Sequence, residues 1–192
     1  MTLVLASQSK RREEILKTHG YDVVVRPAYW VKETSPYLRP SSVVMHHAEK
    51  KARAVALQVP HAVVIGADTV IYFKKKIIGK PRTMKAAVAT LRSFQNKKHL
   101  VYTGVCICQA ATKRQLLFYE RTTVVFKKMN EAAIKAYLAA IDPFDKAGAY
   151  AIQEQGHLII KKICGSHANV IGFPIETFNK KLNIFLRGRK KK

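Results

Sequence analysis

Acidic side chains are scarce in this chain. Twelve Asp and Glu stand against 35 Lys and Arg in 192 residues, a formal net charge of +23. An excess of that size points to polyanionic partners: nucleic acid, nucleotides or membrane phosphate. Cysteine is scarce too. Cys106, Cys108 and Cys164 cannot make an even disulfide framework, so a reducing cytoplasm is the expected compartment. Cys106 and Cys108 lie two apart on a strand-like stretch and read as small buried hydrophobes rather than metal ligands. No apolar run is long enough to span a membrane. Residues 2–6 are too short, and too closely followed by basic residues, to read as a signal peptide. There is no internal repeat and no interleaving of aromatic and basic residues of the kind that binds single strands. Walker A, GxSxG and HExxH motifs are all missing, which removes the chemistries they carry.

What is present is an alternation of strand and helix patterns with 48% hydrophobic residues, enough for one domain or two small lobes with a real core. Leu3-Val4-Leu5-Ala6 reads as a buried strand, Ser7-Gln8-Ser9 as a turn, and Arg11 to His19 as a helix stopped by Gly20. Val23-Val24-Val25 closes a β-α-β start. Lys10, Arg11 and Arg12 crowd the positive end of that first helix, where a bound anion would turn an unfavourable placement into a favourable one. The same turn also fits a solvated basic surface. After a loop containing Pro27, Pro36 and Pro40, Ser41-Ser42 cap a helix with an inward stripe of Val44, Ala48, Ala52 and Val55, flanked by Lys51. His46 and His47 point about 100° apart and read as surface residues.

A long apolar strand over 62–73 is expected to break at Gly66-Ala67-Asp68-Thr69, where Gly66 permits a bend and close backbone approach. A hairpin at Lys74-Lys75-Lys76 would return Lys80 roughly beside Asp68. An Asp in such a run is expensive unless paired, so a structural Asp–Lys pair and a chemical site are both open. Further on, Thr83 caps a helix with Met84, Ala87, Val88, Leu91 and Phe94 inward, two long strands cover 100–108 and 116–126, and Asn130 opens another helix. A strand at 158–163 and a last amphipathic helix bearing Ile175, Phe178, Leu182 and Phe185 follow. Together these predict an α/β fold with a mixed central sheet flanked by helices.

Most of the acids sit on helix surfaces or in turns, and Asp68 alone lies at a break in a buried strand, a usual place for chemistry in an α/β sheet. Hydrolysis of a phosphoanhydride needs cationic clamps, charge neutralisation and a base that orients water. Arg11, Arg12, Lys51 and Lys80 offer the clamps, and Asp68 and Glu33 a base and a metal carrier.

Several motifs, in order, resemble the Maf family of nucleoside triphosphate pyrophosphatases: Ser7-Gln8-Ser9-Lys10-Arg11-Arg12, Gly66-Ala67-Asp68-Thr69-Val70, Gly79-Lys80-Pro81, the run Asp145 to Gln153, and Asn169 to Pro174. The resemblance covers about residues 3 to 186. It implies one catalytic domain over 1–186, with two lobes around a deep cleft as in inosine triphosphate pyrophosphatases; the run of like charges at 187–192 reads by itself as a basic, disordered tail. It implies hydrolysis of a nucleoside triphosphate to monophosphate and diphosphate with a divalent cation, Mg²⁺ or Mn²⁺, in the cytoplasm. Asp68 matches the proton acceptor, with Glu33 and Asp68 toward the metal. Arg11, Thr69 and Gln153 match positions that set base preference, in the pattern of the branch acting on dTTP and UTP, modified pyrimidine nucleotides included, rather than the sister branch acting on 7-methyl-GTP. Ser7, Ser9, Arg12, Glu33, Lys51 and Lys80 match residues around the triphosphate.

The sequence departs from the family in Tyr29-Trp30-Val31-Lys32 before Glu33, where acids are usual, in Lys10 for a frequent proline, and in its high charge. That charge leaves room for weak nucleic-acid affinity, and a non-enzymatic regulator binding through the basic surface is the alternative. Oligomeric state stays open, a homodimer included.

Overall fold

The computed structural model describes residues 2–35 and 39–188. Pro36 and tail residues 189–192 lie outside them. The predicted opening unit is present: β1 (Thr2–Leu5), α1 (Lys10–Thr18) and β2 (Asp22–Val25), with β1 and β2 parallel and Leu3 opposite Val23. Gly20, at φ +81°, supplies the left-handed residue that ends α1. α2 (Pro40–Ala56) starts earlier than the serines suggested. Proline's fixed φ and missing N–H suit the first helical position, so Arg39 rather than Ser41 or Ser42 becomes the cap.

β3 (Val63–Phe73) runs without interruption through Gly66-Ala67-Asp68-Thr69, where the sequence predicts a break. β4 (Lys76–Ile78), α3 (Met84–Phe94), β5 (Lys98–Gln109), β6 (Arg114–Phe126), α4 (Glu131–Ala139), the single turn α5 (Gly156–Ile159), β7 (Ile160–Cys164), α6 (His167–Ile171) and α7 (Ile175–Arg187) complete the order. The sheet has seven strands in the order β2-β1-β3-β5-β6-β7, with β4 on β3. β1 is parallel to β2 and β3, whereas β4 and β7 are antiparallel to β3 and β6, so the sheet is mixed, as expected.

The chain forms two compact units. One holds the residues up to Asp68, with Thr103–Glu120 and the segment from Gly172; the other holds Thr69–Tyr102 and Arg121–Ile171. In the first, the stripe Val44, Ala48, Ala52 and Val55 is fully buried, as its 4-4-3 spacing predicts. The core it joins includes Val4, Val64, Cys106 and Cys108. Two glycines explain how close α2 comes to the sheet. A Cβ at Gly66 would run into the Ala48 carbonyl oxygen and come to 2.8 Å from the Ala52 nitrogen. One at Gly104 would lie 2.5 Å from the Val44 carbonyl and 2.7 Å from the Met45 nitrogen. Gly66 therefore serves close approach to a helix, not a strand bend. The last helix buries Ile175, Phe178, Leu182 and Phe185 as read from the sequence. Arg187, counted with the tail, closes α7.

The second unit is built around Phe94, stacked on His99 at 4.5 Å and edge-on to Phe73 and Phe126. His99 pairs with the Tyr150 hydroxyl at 2.7 Å, and burial lowers its pKa to about 4, so it packs as a neutral ring at pH 7. Thr83 and Asn130 cap α3 and α4 as predicted, accepting from Ala86 N–H and Ala133 N–H. Met84, expected inward, is exposed, and Leu158 and Ile159 lie in α5 rather than in the strand.

Gly66→Ala is expected to lower stability by about 3 kcal/mol through overpacking. Urea unfolding should show a reduced midpoint at an unchanged slope. A midpoint equal to wild type would show that α2 does not need the missing side chain.

Candidate active site

α2 delivers two side chains to one carboxylate. His47 and Lys51 are one helical turn apart, so they share a face next to the buried stripe. Asp68 faces them from β3 and is 7% exposed. Lys51 Nζ donates to Asp68 Oδ1 at 2.9 Å, and His47 Nδ1 lies 2.9 Å from Oδ2. The same Lys51 ammonium lies 2.5 Å from Glu33 Oε1. Lys51 is thus shared by a buried carboxylate and one whose side chain is 58% exposed.

Arg12, at the start of α1, is fixed from two sides. Its Nε donates to the Gly172 carbonyl at 2.9 Å and its Nη1 to Ser7 Oγ at 2.9 Å. Ser7 Oγ also accepts from the Ser9 N–H at 3.3 Å. Burial lowers the Arg12 pKa against the pull of Asp68 and Glu33, and Arg11 beside it lowers it further. Guanidinium still carries its charge at any pH of interest. For Asp68, burial alone would raise the pKa; the His47 hydrogen bond, Lys51 and Arg12 outweigh it, and the result lies below the ordinary value. Asp68 is an ionised carboxylate at neutral pH.

The structure therefore brings together Glu33, Lys51 and Asp68, with Arg12 and Ser7 joined to each other and within electrostatic reach of the two acids. Ser9 occupies the α1 cap position, but its side chain makes no cap bond; its carbonyl accepts from Arg12 N–H and Glu13 N–H. Arg11 is partly buried next to Arg12. Of the positions in the second unit, Thr69 follows Asp68 on β3 with its side chain on the opposite face. Lys80 is exposed just beyond β4, whose ladder with β3 ends at the Ile71–Ile78 pair, two residues before Lys80. Gln153 is exposed in a turn. Lys146, 5% exposed, ties that stretch together through the Asp142 carbonyl at 2.7 Å, Asp145 at 2.6 Å and Glu154 at 3.3 Å.

His47 is the residue the sequence reading missed. It is 7% exposed rather than at the surface, while His46 faces an outer groove with Trp30, Lys32 and Arg53. The signal was there: Lys51 is the fourth residue after His47, and each directly precedes a residue of the apolar stripe, Ala48 and Ala52.

Hard carboxylate oxygens at Glu33 and Asp68 suit Mg²⁺ or Mn²⁺. Among the described residues, however, no three His, Cys, Asp or Glu side chains cluster as a metal site would need. The Lys51 ammonium already bridges the two acids. With that donor set the protein could supply one or two carboxylates, Glu33 and Asp68, to such a cation.

The family model described as Maf-like protein matches residues 2–185. A dTTP/UTP pyrophosphatase of Pelotomaculum thermopropionicum is 41% identical over 174 residues, 90% of this chain and 91% of that one. Another of Bacillus cereus is 40% identical over 186 residues, 95% and 89% of the two chains. Among solved structures, the Ham1 protein of Staphylococcus aureus superposes with a TM-score of 0.55 at 16% identity, covering 99% of this chain and 100% of that one. A HAM1 protein from Coxiella burnetii gives 0.54 at 14%, covering 96% and 99%. At those identities the likeness is one of fold.

Removing one partner of the buried pair leaves a charge uncompensated. Lys51→Met should destabilise the protein by about 3 kcal/mol. Adding Asp68→Asn should recover part of that loss, a coupling of about 1 kcal/mol or more in a denaturation cycle. Strict additivity would show that the pair does not form.

Proposed function

The chain belongs to the Maf family, and we propose that it is a nucleoside triphosphate pyrophosphatase hydrolysing dTTP or UTP, modified pyrimidine forms included, to the monophosphate and diphosphate. The observation that carries this reading is the buried, ionised Asp68 held among Lys51, His47 and Arg12. Relatives near 40% identity over almost their whole length bear the dTTP/UTP pyrophosphatase name, which supports the substrate class.

In this proposal residues 1–186 act as one catalytic domain. Water attacks the α-phosphorus, the bond to the bridging oxygen breaks, and that oxygen leaves with diphosphate. Asp68 accepts a hydrogen bond from the attacking water, aligns it and takes up its proton. While both its oxygens are tied to donors, Asp68 is a weak base; once Lys51 turns to a phosphate oxygen, Oδ1 is freed and its basicity rises. Lys51, Arg12 and Lys80 meet charge on the phosphates, with Ser7 and Ser9 beside them. Thr69, Gln153 and Arg11, which match the family positions that set base preference, each carry a group able to hydrogen-bond a pyrimidine edge. A base that leaves such groups unpaired is rejected at a cost of about 1–3 kcal/mol per group.

Glu33 and Asp68 would hold a divalent cation brought with the substrate, and that cation would supply neutralisation of the phosphate charge. The net charge of +23 favours capture of a tetra-anionic substrate, and the same field gives salt-sensitive affinity for nucleic acid. No helix of the described residues is long and apolar enough to cross a membrane. Three free cysteines, one of them exposed, support a cytoplasmic location.

The test is diphosphate release from a panel of nucleoside triphosphates with Mg²⁺, Mn²⁺ or chelator. Wild type should favour dTTP and UTP and stop when metal is chelated. Asp68→Asn should slow release about 100-fold or more. An Asp68→Asn variant as fast as wild type would overturn the mechanism, and release of inorganic phosphate alone would overturn the reaction.

A further inference from the structure

We propose that His47 is a positioning residue for the hydrolytic step. This rests on the reading of Asp68 as the group that orients water. Three observations carry it. His47 is 7% exposed, on the face of α2 that packs against β3. Its Nδ1 lies 2.9 Å from Asp68 Oδ2. Its Nε2 is buried and has no hydrogen-bond partner among the described residues.

The direction of the hydrogen bond follows from chemistry. An ionised carboxylate only accepts, so Nδ1 must carry the proton and donate. Asp68 is then held by two donors of different kinds. Lys51 is a flexible ammonium that Glu33 already shares, and an incoming phosphate competes for it. His47 is a ring with two torsions, packed beside a helix backbone that Gly66 and Gly104 hold against the sheet. When Lys51 turns to the phosphates, the His47 bond keeps Oδ2 in place and leaves Oδ1 to receive the water. Without it, the carboxylate would be free to rotate at the moment its direction matters, and a misplacement of about 1 Å costs on the order of 100-fold in rate.

The histidine acts through Asp68, so its loss belongs in kcat and not in KM. Asn and Gln separate its two nitrogens: the amide nitrogen of Asn sits near the place of Nδ1, that of Gln near the place of Nε2. The experiment measures kcat and KM for dTTP with Mg²⁺ in wild type, His47→Leu, His47→Asn and His47→Gln, with thermal unfolding of each. Expected are a kcat about tenfold or more lower in the Leu and Gln variants, KM within about twofold throughout, and recovery of most of the rate by Asn. If the Leu variant does not fold, the Asn and Gln pair decides. Equal kcat in all four proteins, or a loss confined to KM, would overturn the proposal. An Asn variant as slow as Gln would do so as well, pointing to Nε2 instead.

Long-range ¹H–¹⁵N spectra of His47 give a readout that needs no turnover. They should show a proton on Nδ1 in wild type, lost as a hydrogen-bonded signal in Asp68→Ala. A ring without a proton on Nδ1 would contradict the hydrogen bond itself. A wild type that hydrolyses no nucleotide yet shows that proton would sink the reading of function while leaving the contact standing.

Discussion

A carboxylate held in a protein interior must be compensated, and in this chain the compensation of Asp68 organises the site. Burial opposes its ionisation, and the His47 hydrogen bond, Lys51 and Arg12 together overcome that opposition. Each of these groups is placed by a different piece of backbone. α2 carries His47 and Lys51 a turn apart, β3 carries Asp68, and the start of α1 carries Arg12, clamped by Ser7 and the Gly172 carbonyl. The glycines at 66 and 104 hold the parts together, since side chains there would push α2 off the sheet and carry both donors away from the acid.

The same arrangement links structure to chemistry. A carboxylate tied at both oxygens is a stable ground state and a poor base. In the proposed reaction, phosphate oxygens would compete for Lys51 and Arg12, and arrival of substrate would loosen the ties that quiet Asp68. On that proposal, compensation of a buried charge and activation of a base would be two states of one set of contacts. The chain's cationic excess would act at longer range in that proposal, raising the local concentration of a polyanionic substrate.

Much of this was legible in the sequence. Val44, Ala48, Ala52 and Val55 announced the buried face of α2, and Ile175, Phe178, Leu182 and Phe185 that of α7, because apolar spacing reports burial directly. Asp68 stood out because acids are rare in apolar strands. His47 was hidden because adjacent histidines invite a comparison with each other, whereas its useful neighbour lies four residues on, at Lys51. At Gly66 the sequence allowed both a bend and close backbone approach; only the approach is realised, and the helix that demands it is distant in sequence, which no local pattern reveals. Arg39 and Pro40 at the start of α2 show the reverse case, a local preference that outranked the more familiar serine cap.

The central claim is that Asp68 stays charged in the folded protein because its donors outweigh its burial. With aspartate side-chain carboxyls labelled with ¹³C and the Asp68 signal identified by its loss in Asp68→Asn, an NMR titration reads this directly. The account predicts a midpoint for Asp68 below the ordinary value of 3.8. A midpoint at or above that value would mean that burial wins, and that Lys51 and His47 do not hold the carboxylate as described.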